Sequence, residues 1–102
     1  ELYLKLKNMG LNVYMEKKTP KGRRIDIFID EEPIRIIEVK LSPDSFLDAI
    51  KQLLNYSIEY PLAELFLFCN KPLSDIQRST IERTGINILD NIESLRNKIN
   101  NE

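Results

Sequence analysis

Two carboxylates and a lysine stand where the pattern asks for apolar side chains: Asp26 in Arg24-Ile25-Asp26-Ile27, and Glu38 and Lys40 in Ile37-Glu38-Val39-Lys40. An unpaired carboxylate between isoleucines is costly to bury, so each acid needs a partner. A single bound cation meets that need for both. If the two carboxylates are neighbours, one of them takes up a proton unless a cation neutralises the pair. Magnesium fits, because it binds through one or two carboxylates, keeps several waters and prefers phosphate oxygen to complete its octahedron. Manganese accepts the same oxygen donors. Lys40 beside such an ion can orient a water, help lower its pKa or stabilise charge growing on phosphorus. The chemistry implied is hydrolysis of a phosphodiester.

Whether the acids meet depends on the hairpin that carries them. Ile25 to Asp30 and Ile34 to Lys40 read as two strands joined by Glu31-Glu32-Pro33. A two-residue Glu31-Glu32 turn would need positive φ at glutamate, and Pro33 has no N–H to give to a ladder, so a three-residue connection is expected. Asp30 then faces Ile34, and counting back sets Asp26 opposite Glu38, with Cβ atoms roughly 4.5 to 5.5 Å apart on one face. Lys40, two residues past Glu38, projects from the same face.

The rest of the chain supplies the frame. Leu2, Leu6 and Met9 fall at helical spacing with Gly10 as the stop, and Leu11 to Lys18 alternates as a strand with Leu11, Val13 and Met15 on one side. Thr19-Pro20-Lys21-Gly22 is a turn by composition. Ser42-Pro43-Asp44 opens a helix that should run to about Tyr60, with serine as cap and proline at the first helical position. Its expected packed side is Ile50, Leu53, Leu54 and Ile58, while Asp48, Gln52 and Tyr56 share another face. Gln52 falls near the border, where its amide can donate to a phosphate or hold a water. Ala63 to Cys69 reads as a buried strand, Ser74 caps a helix ended by Gly85, and Ile86 to Leu89 is a short strand. Asp90 with Glu93 makes a capping-box pattern ahead of Ile92, Leu95 and Ile99. The order αβββαβ followed by αβα predicts a mixed sheet with helices on both faces.

With 102 residues, 42% of them hydrophobic, the chain is expected to form a single domain over 1–102. It opens on Glu1 rather than Met, so further residues are expected before it. A net charge of -1 argues against coating nucleic acid by bulk attraction. The charge is unevenly spread, however: Lys17 to Arg24 holds five cations and no acid. That run reads either as a solvated hairpin tip or as a phosphate-contacting loop through Lys21, Arg23 and Arg24, with Arg24, beside the acids, the first choice. Tyr56 reads as a half-buried core tyrosine or as a platform for a base. The absence of histidine and a lone Cys69 exclude a zinc site and an internal disulfide. No stretch has the length of a membrane span, and the reduced cytoplasm is the expected compartment.

Taken in order, Gly22-Arg23-Arg24-Ile25-Asp26, Glu38-Val39-Lys40 and Gln52-Leu53-Leu54-Asn55-Tyr56 resemble the PD-(D/E)xK nuclease superfamily, the restriction-endonuclease-like fold. The layout is similar to that of archaeal Holliday junction resolvases and of the nuclease domain of the archaeal mismatch endonuclease, the latter also in its Gly-Arg-Ile-Asp and Gln-Leu-x-x-Tyr patterns. The likeness runs from Glu1 to about Cys69 and departs at Ile25, where the motif's name has proline. It implies a three-layer α/β/α core with a mixed central sheet. It further implies Asp26 and Glu38 as metal ligands, Val39 as a backbone-carbonyl ligand, and Lys40 as the water-orienting base or charge stabiliser. Gln52 would be an accessory active-site residue, and Glu1 the acid that some members carry on the first helix.

The expectation is a magnesium-dependent DNA endonuclease, working as a homodimer because one small domain offers one cleavage centre. The alternative is a catalytically inactive nuclease-fold module that binds DNA or a protein partner, and a third reading is a structural domain in which Asp26 pairs with Arg24 or Lys40. They divide on geometry: a nuclease needs Asp26, Glu38 and Lys40 to open into one concavity.

Overall fold

The computed structural model of the chain describes residues 2–100. The elements follow in the order α1 (Leu2–Asn8), β1 (Val13–Lys18), β2 (Arg24–Ile29), β3 (Arg35–Lys40), α2 (Phe46–Glu59), β4 (Glu64–Cys69), α3 (Asp75–Glu82), β5 (Asn87–Leu89) and α4 (Ile92–Asn100). The five strands form one sheet in the order β1-β2-β3-β4-β5. The hairpins β1–β2 and β2–β3 are antiparallel, and the crossovers through α2 and α3 make β3–β4 and β4–β5 parallel. The fold is therefore the mixed-sheet α/β/α sandwich expected from the element order. Among the described residues, no helix is long and apolar enough to cross a membrane.

Each face of the sheet has its own core. Ile36, Phe28 and Leu67 pack with Ala49, Leu53 and Tyr56 of α2 and Ile81 of α3. On the opposite face Ile27, Ile29, Ile37 and Phe66 pack with Leu6 of α1 and Leu95 of α4. Double coverage explains why β2 and β3 carry more apolar residues than alternation against water would give.

Three local expectations are corrected. The packed stripe of α2 is Ala49, Ile50, Leu53 and Tyr56, whereas Leu54 and Ile58 are 40% and 65% exposed. Ser42 caps a single 3-10 turn, Pro43–Ser45, by accepting from the Asp44 N–H at 3.2 Å, and α2 begins only after it. At the last helix Asn91, not Asp90, accepts from the Ser94 N–H at 3.0 Å, because Asp90 is engaged by Arg78 at 2.8 Å. Met15 shares its side of β1 with the buried Val13, as alternation requires, yet is itself 53% exposed. The cap at Ser74 is as expected, reinforced by the reciprocal Gln77 bond.

Candidate active site

The β2–β3 register decides the site. Ile27 pairs with Ile37, Phe28 with Ile36 and Ile29 with Arg35, which is the register of a three-residue turn. Continued by one pair, it sets Asp26 level with Glu38. The paired ladder stops at Ile27–Ile37, however, and the strands part just where the acids stand. Strict alternation would put Ile25 with Ile27, yet Ile25 belongs to the core under α2 and Ile27 to the opposite one. β2 therefore turns about Asp26. In the opening thus made the Asp26 carboxylate takes the place of a ladder carbonyl, accepting from the Val39 N–H at 2.9 Å. The N–H and C=O of one strand residue point to the same side, so the Val39 carbonyl is directed to this opening as well.

Glu38 is 3% exposed, and its Oε2 lies 3.3 Å from the Lys40 ammonium. Its other oxygen, Oε1, is buried without any hydrogen-bond partner. Burial first, and the adjacent Asp26 carboxylate second, push the Glu38 carboxyl from 4.5 up to about 7, although Lys40 pulls the other way. A buried carboxyl oxygen without a partner, on an acid beside a second acid, is a place that either a proton or a cation would neutralise.

Asp26, Glu38, Val39 and Lys40 line one cleft of about 580 Å³ with Arg23, Arg24, Gln52, Asn55 and Tyr56. Gln52 is exposed on the flank of α2 and reaches the cleft from there. Asn55, three residues on, shares that flank, and its place in the cleft was readable from helical spacing. Arg24 and Arg23 are exposed at its rim, whereas Lys21 stands off from it in the Thr19–Gly22 turn. Tyr56 is the core tyrosine of the two readings: 3% exposed, it donates from its hydroxyl to the Arg24 carbonyl at 2.5 Å. Burial, with the charges of Glu38 and Asp26, pushes that hydroxyl up to about 12, so it stays a donor through the physiological range. Glu1 lies outside the described residues.

Glu16 went unnoticed in the sequence. On β1 it stands between the pairs Met15–Ile27 and Lys17–Ile25, across from Asp26. It has a positive φ of 52°, and its carboxylate lies 3.3 Å from the Arg24 guanidinium. Nothing in the residue type signals a left-handed backbone, which glutamate rarely adopts. A second hollow, of about 560 Å³ and lined by Leu2, Tyr3, Leu4 and Met15, meets the cleft at Arg24, Asp26 and Val39.

These residues suit a hard divalent cation. Among the described residues no group of three or more His, Cys, Asp or Glu side chains forms a metal cage. Two carboxylates and a strand carbonyl are instead the sparse oxygen set that magnesium takes together with its own waters. Asp26 pairs with neither Arg24 nor Lys40, which bond to Glu16 and Glu38 instead. Asp26, Glu38 and Lys40 thus line one concavity.

No protein-family model and no curated protein matches the chain. Solved structures do. Can2 from Sulfobacillus thermosulfidooxidans, in complex with cyclic tetra-adenylate, superposes with a TM-score of 0.72 at 12% identity over 96% of this chain and 33% of that one. A repair endonuclease from Pyrococcus abyssi gives 0.62 at 16% identity over 83% of this chain and 42% of that one. Protein VC1899 from Vibrio cholerae gives 0.70 at 12% identity, over 96% and 31%. The chain thus spans less than half the length of each, and at such identities the likeness shows the fold: a mixed-sheet α/β domain of the kind found in a repair endonuclease.

Proposed function

We propose that the chain is a magnesium-dependent DNA endonuclease domain of the PD-(D/E)xK kind. The observation that carries this reading is the convergence of Asp26, Glu38, Lys40 and Gln52 on one cleft rimmed by Arg23 and Arg24. Asp26 and Glu38, with the Val39 carbonyl, would hold the ion. Bound there, magnesium or manganese supplies a Lewis acid toward phosphate oxygen and lowers the pKa of water. The chain's own groups do the rest. The Val39 N–H fixes the Asp26 carboxylate, and the Lys40 ammonium, 3.3 Å from Glu38 Oε2, would orient water and stabilise charge on phosphorus. Arg24 and Arg23 offer charge-assisted donors to the nucleic-acid backbone, and the Gln52 amide adds a neutral donor. Because one centre cuts one strand, the reading includes a homodimer for breaking a duplex.

The test is incubation of the protein with end-labelled junctions, flaps, single strands and linear duplexes, with magnesium, with manganese and with chelator. Metal-dependent cleavage of at least one DNA is the expected result. Salt-dependent binding without cleavage in either metal would favour the inactive binding module instead.

A further inference from the structure

The cations at the rim of the cleft sit at the tip of the β1–β2 hairpin, a place where a chain is ordinarily mobile. Here the tip is tied down twice, both times to the last turns of α2. The Glu59 Oε1 accepts from the Lys21 N–H at 2.9 Å, across 38 residues of sequence. The Tyr56 hydroxyl donates to the Arg24 carbonyl at 2.5 Å. Between the two ties the tip is braced from within. Thr19, 5% exposed, accepts at its Oγ1 from the Arg23 N–H at 3.1 Å and at its carbonyl from the Gly22 N–H at 2.8 Å. The Thr19 N–H donates in turn to the Arg23 carbonyl at 2.7 Å. Gly22 supplies the positive φ of 85° that closes the turn.

We propose that Glu59 and Tyr56 are positioning residues, a two-point clamp that holds the Lys21–Arg24 tip against α2 so that Arg23 and Arg24 meet the phosphate lying over Asp26 and Glu38. The proposal rests on the phosphodiester reading of the cleft. Without the clamp, the two arginines would stay charged and exposed but would have to be ordered when substrate binds, an entropic cost that the tethered tip has already met. Burial disfavours ionisation of Glu59, but the Thr19 hydroxyl, the Lys21 N–H and the charges of Arg23 and Lys21 together hold it below its ordinary value. The anion is thus kept by the tip it holds. Its Oε1 bond to a backbone N–H is one that a glutamine carbonyl can reproduce.

Two measurements test this. The first needs no DNA: in Glu59→Ala and in Tyr56→Phe, exchange of the Lys21 and Gly22 amides with solvent should quicken relative to wild type, while the core amides of Ile37 and Phe66 remain as protected as before. The second is steady-state cleavage of the best duplex from the substrate panel. Glu59→Ala should raise KM by about tenfold, the worth of one charge-assisted contact, with kcat within about twofold, and Glu59→Gln should restore KM. Should Glu59→Ala fail to fold, Tyr56→Phe, which keeps the ring in the core, gives the same two readings. Unchanged exchange at Lys21, or quickened exchange with KM unmoved, overturns the clamp. If the wild-type protein cuts no DNA, the nuclease reading fails instead, and the exchange data with DNA affinity at low salt then decide the clamp: loosened amides without weaker binding would refute it.

Discussion

Changing Glu38 to glutamine should abolish metal-dependent cleavage, by about a thousandfold or more, and at the same time make the metal-free protein more stable above neutral pH. The two effects have one cause. Glu38 sits 3% exposed with a partnerless oxygen and a second acid beside it, and its carboxyl is pushed from 4.5 up to about 7. A carboxyl with a folded pKa above its unfolded one favours folding in its protonated form. That contribution is complete below about pH 4.5 and is lost as the pH rises through about 7. The full difference is on the order of 3 kcal/mol. Glutamine keeps the shape and never ionises, so the variant should match the wild type near pH 5 and exceed it at pH 8, as read from urea unfolding in chelator. A site that loses its function and gains stability by the same change is one in which charge is kept for a ligand.

The second large effect is expected at Lys40. Lys40→Ala should lower kcat by about a hundredfold to a thousandfold, the usual loss when a group that stabilises the transition state is removed, yet leave magnesium binding intact. The ammonium lies 3.3 Å from Glu38 Oε2 and serves as that acid's internal counterion. Deleting it removes a competitor for the carboxylate, so affinity for the ion should hold or rise. The Glu38 titration in chelator should shift further upward, because both influences that hold it down, a charge and a hydrogen bond, come from Lys40. Asp26→Ala separates the roles from the other side. It should lose both ion binding and cleavage, and free the Val39 N–H from its bond.

Much of this was legible in the chain because hairpin register is a local property. Glutamates that resist positive φ and a proline that cannot donate gave the length of one turn, and with it the β2–β3 register that carries Asp26 and Glu38 toward each other. The helix starts were legible in the same way where the cap is a single strong residue, as at Ser74. Legibility failed where the deciding partner is remote. Leu54 and Ile58 resemble core residues by type, but an alanine and a tyrosine take their places beside Ile50 and Leu53 in the packed stripe of α2, chosen by the sheet beneath it. Asp90 loses its capping role to Asn91 through Arg78, twelve residues away. Glu59 and Glu16 owe their places to a long-range amide and to a left-handed backbone, neither of which has a sequence signature. At the site itself, the departure of β2 from β3 was not foreseen. Register could level the acids, but only the turn of the strand about Asp26 shows how its carboxylate reaches Val39.

The central claim is that Asp26 and Glu38 hold one divalent cation. Thermal unfolding at pH 8, with magnesium raised from chelator to about ten times its dissociation constant, reads it directly. Wild-type protein should gain about 1.4 kcal/mol, a rise in Tm of about 5 to 10 °C, by mass action. Lys40→Ala should gain at least as much, and Asp26→Ala and Glu38→Gln should gain nothing. Equal stabilisation of all four proteins by magnesium, or none of the wild type, would contradict the account.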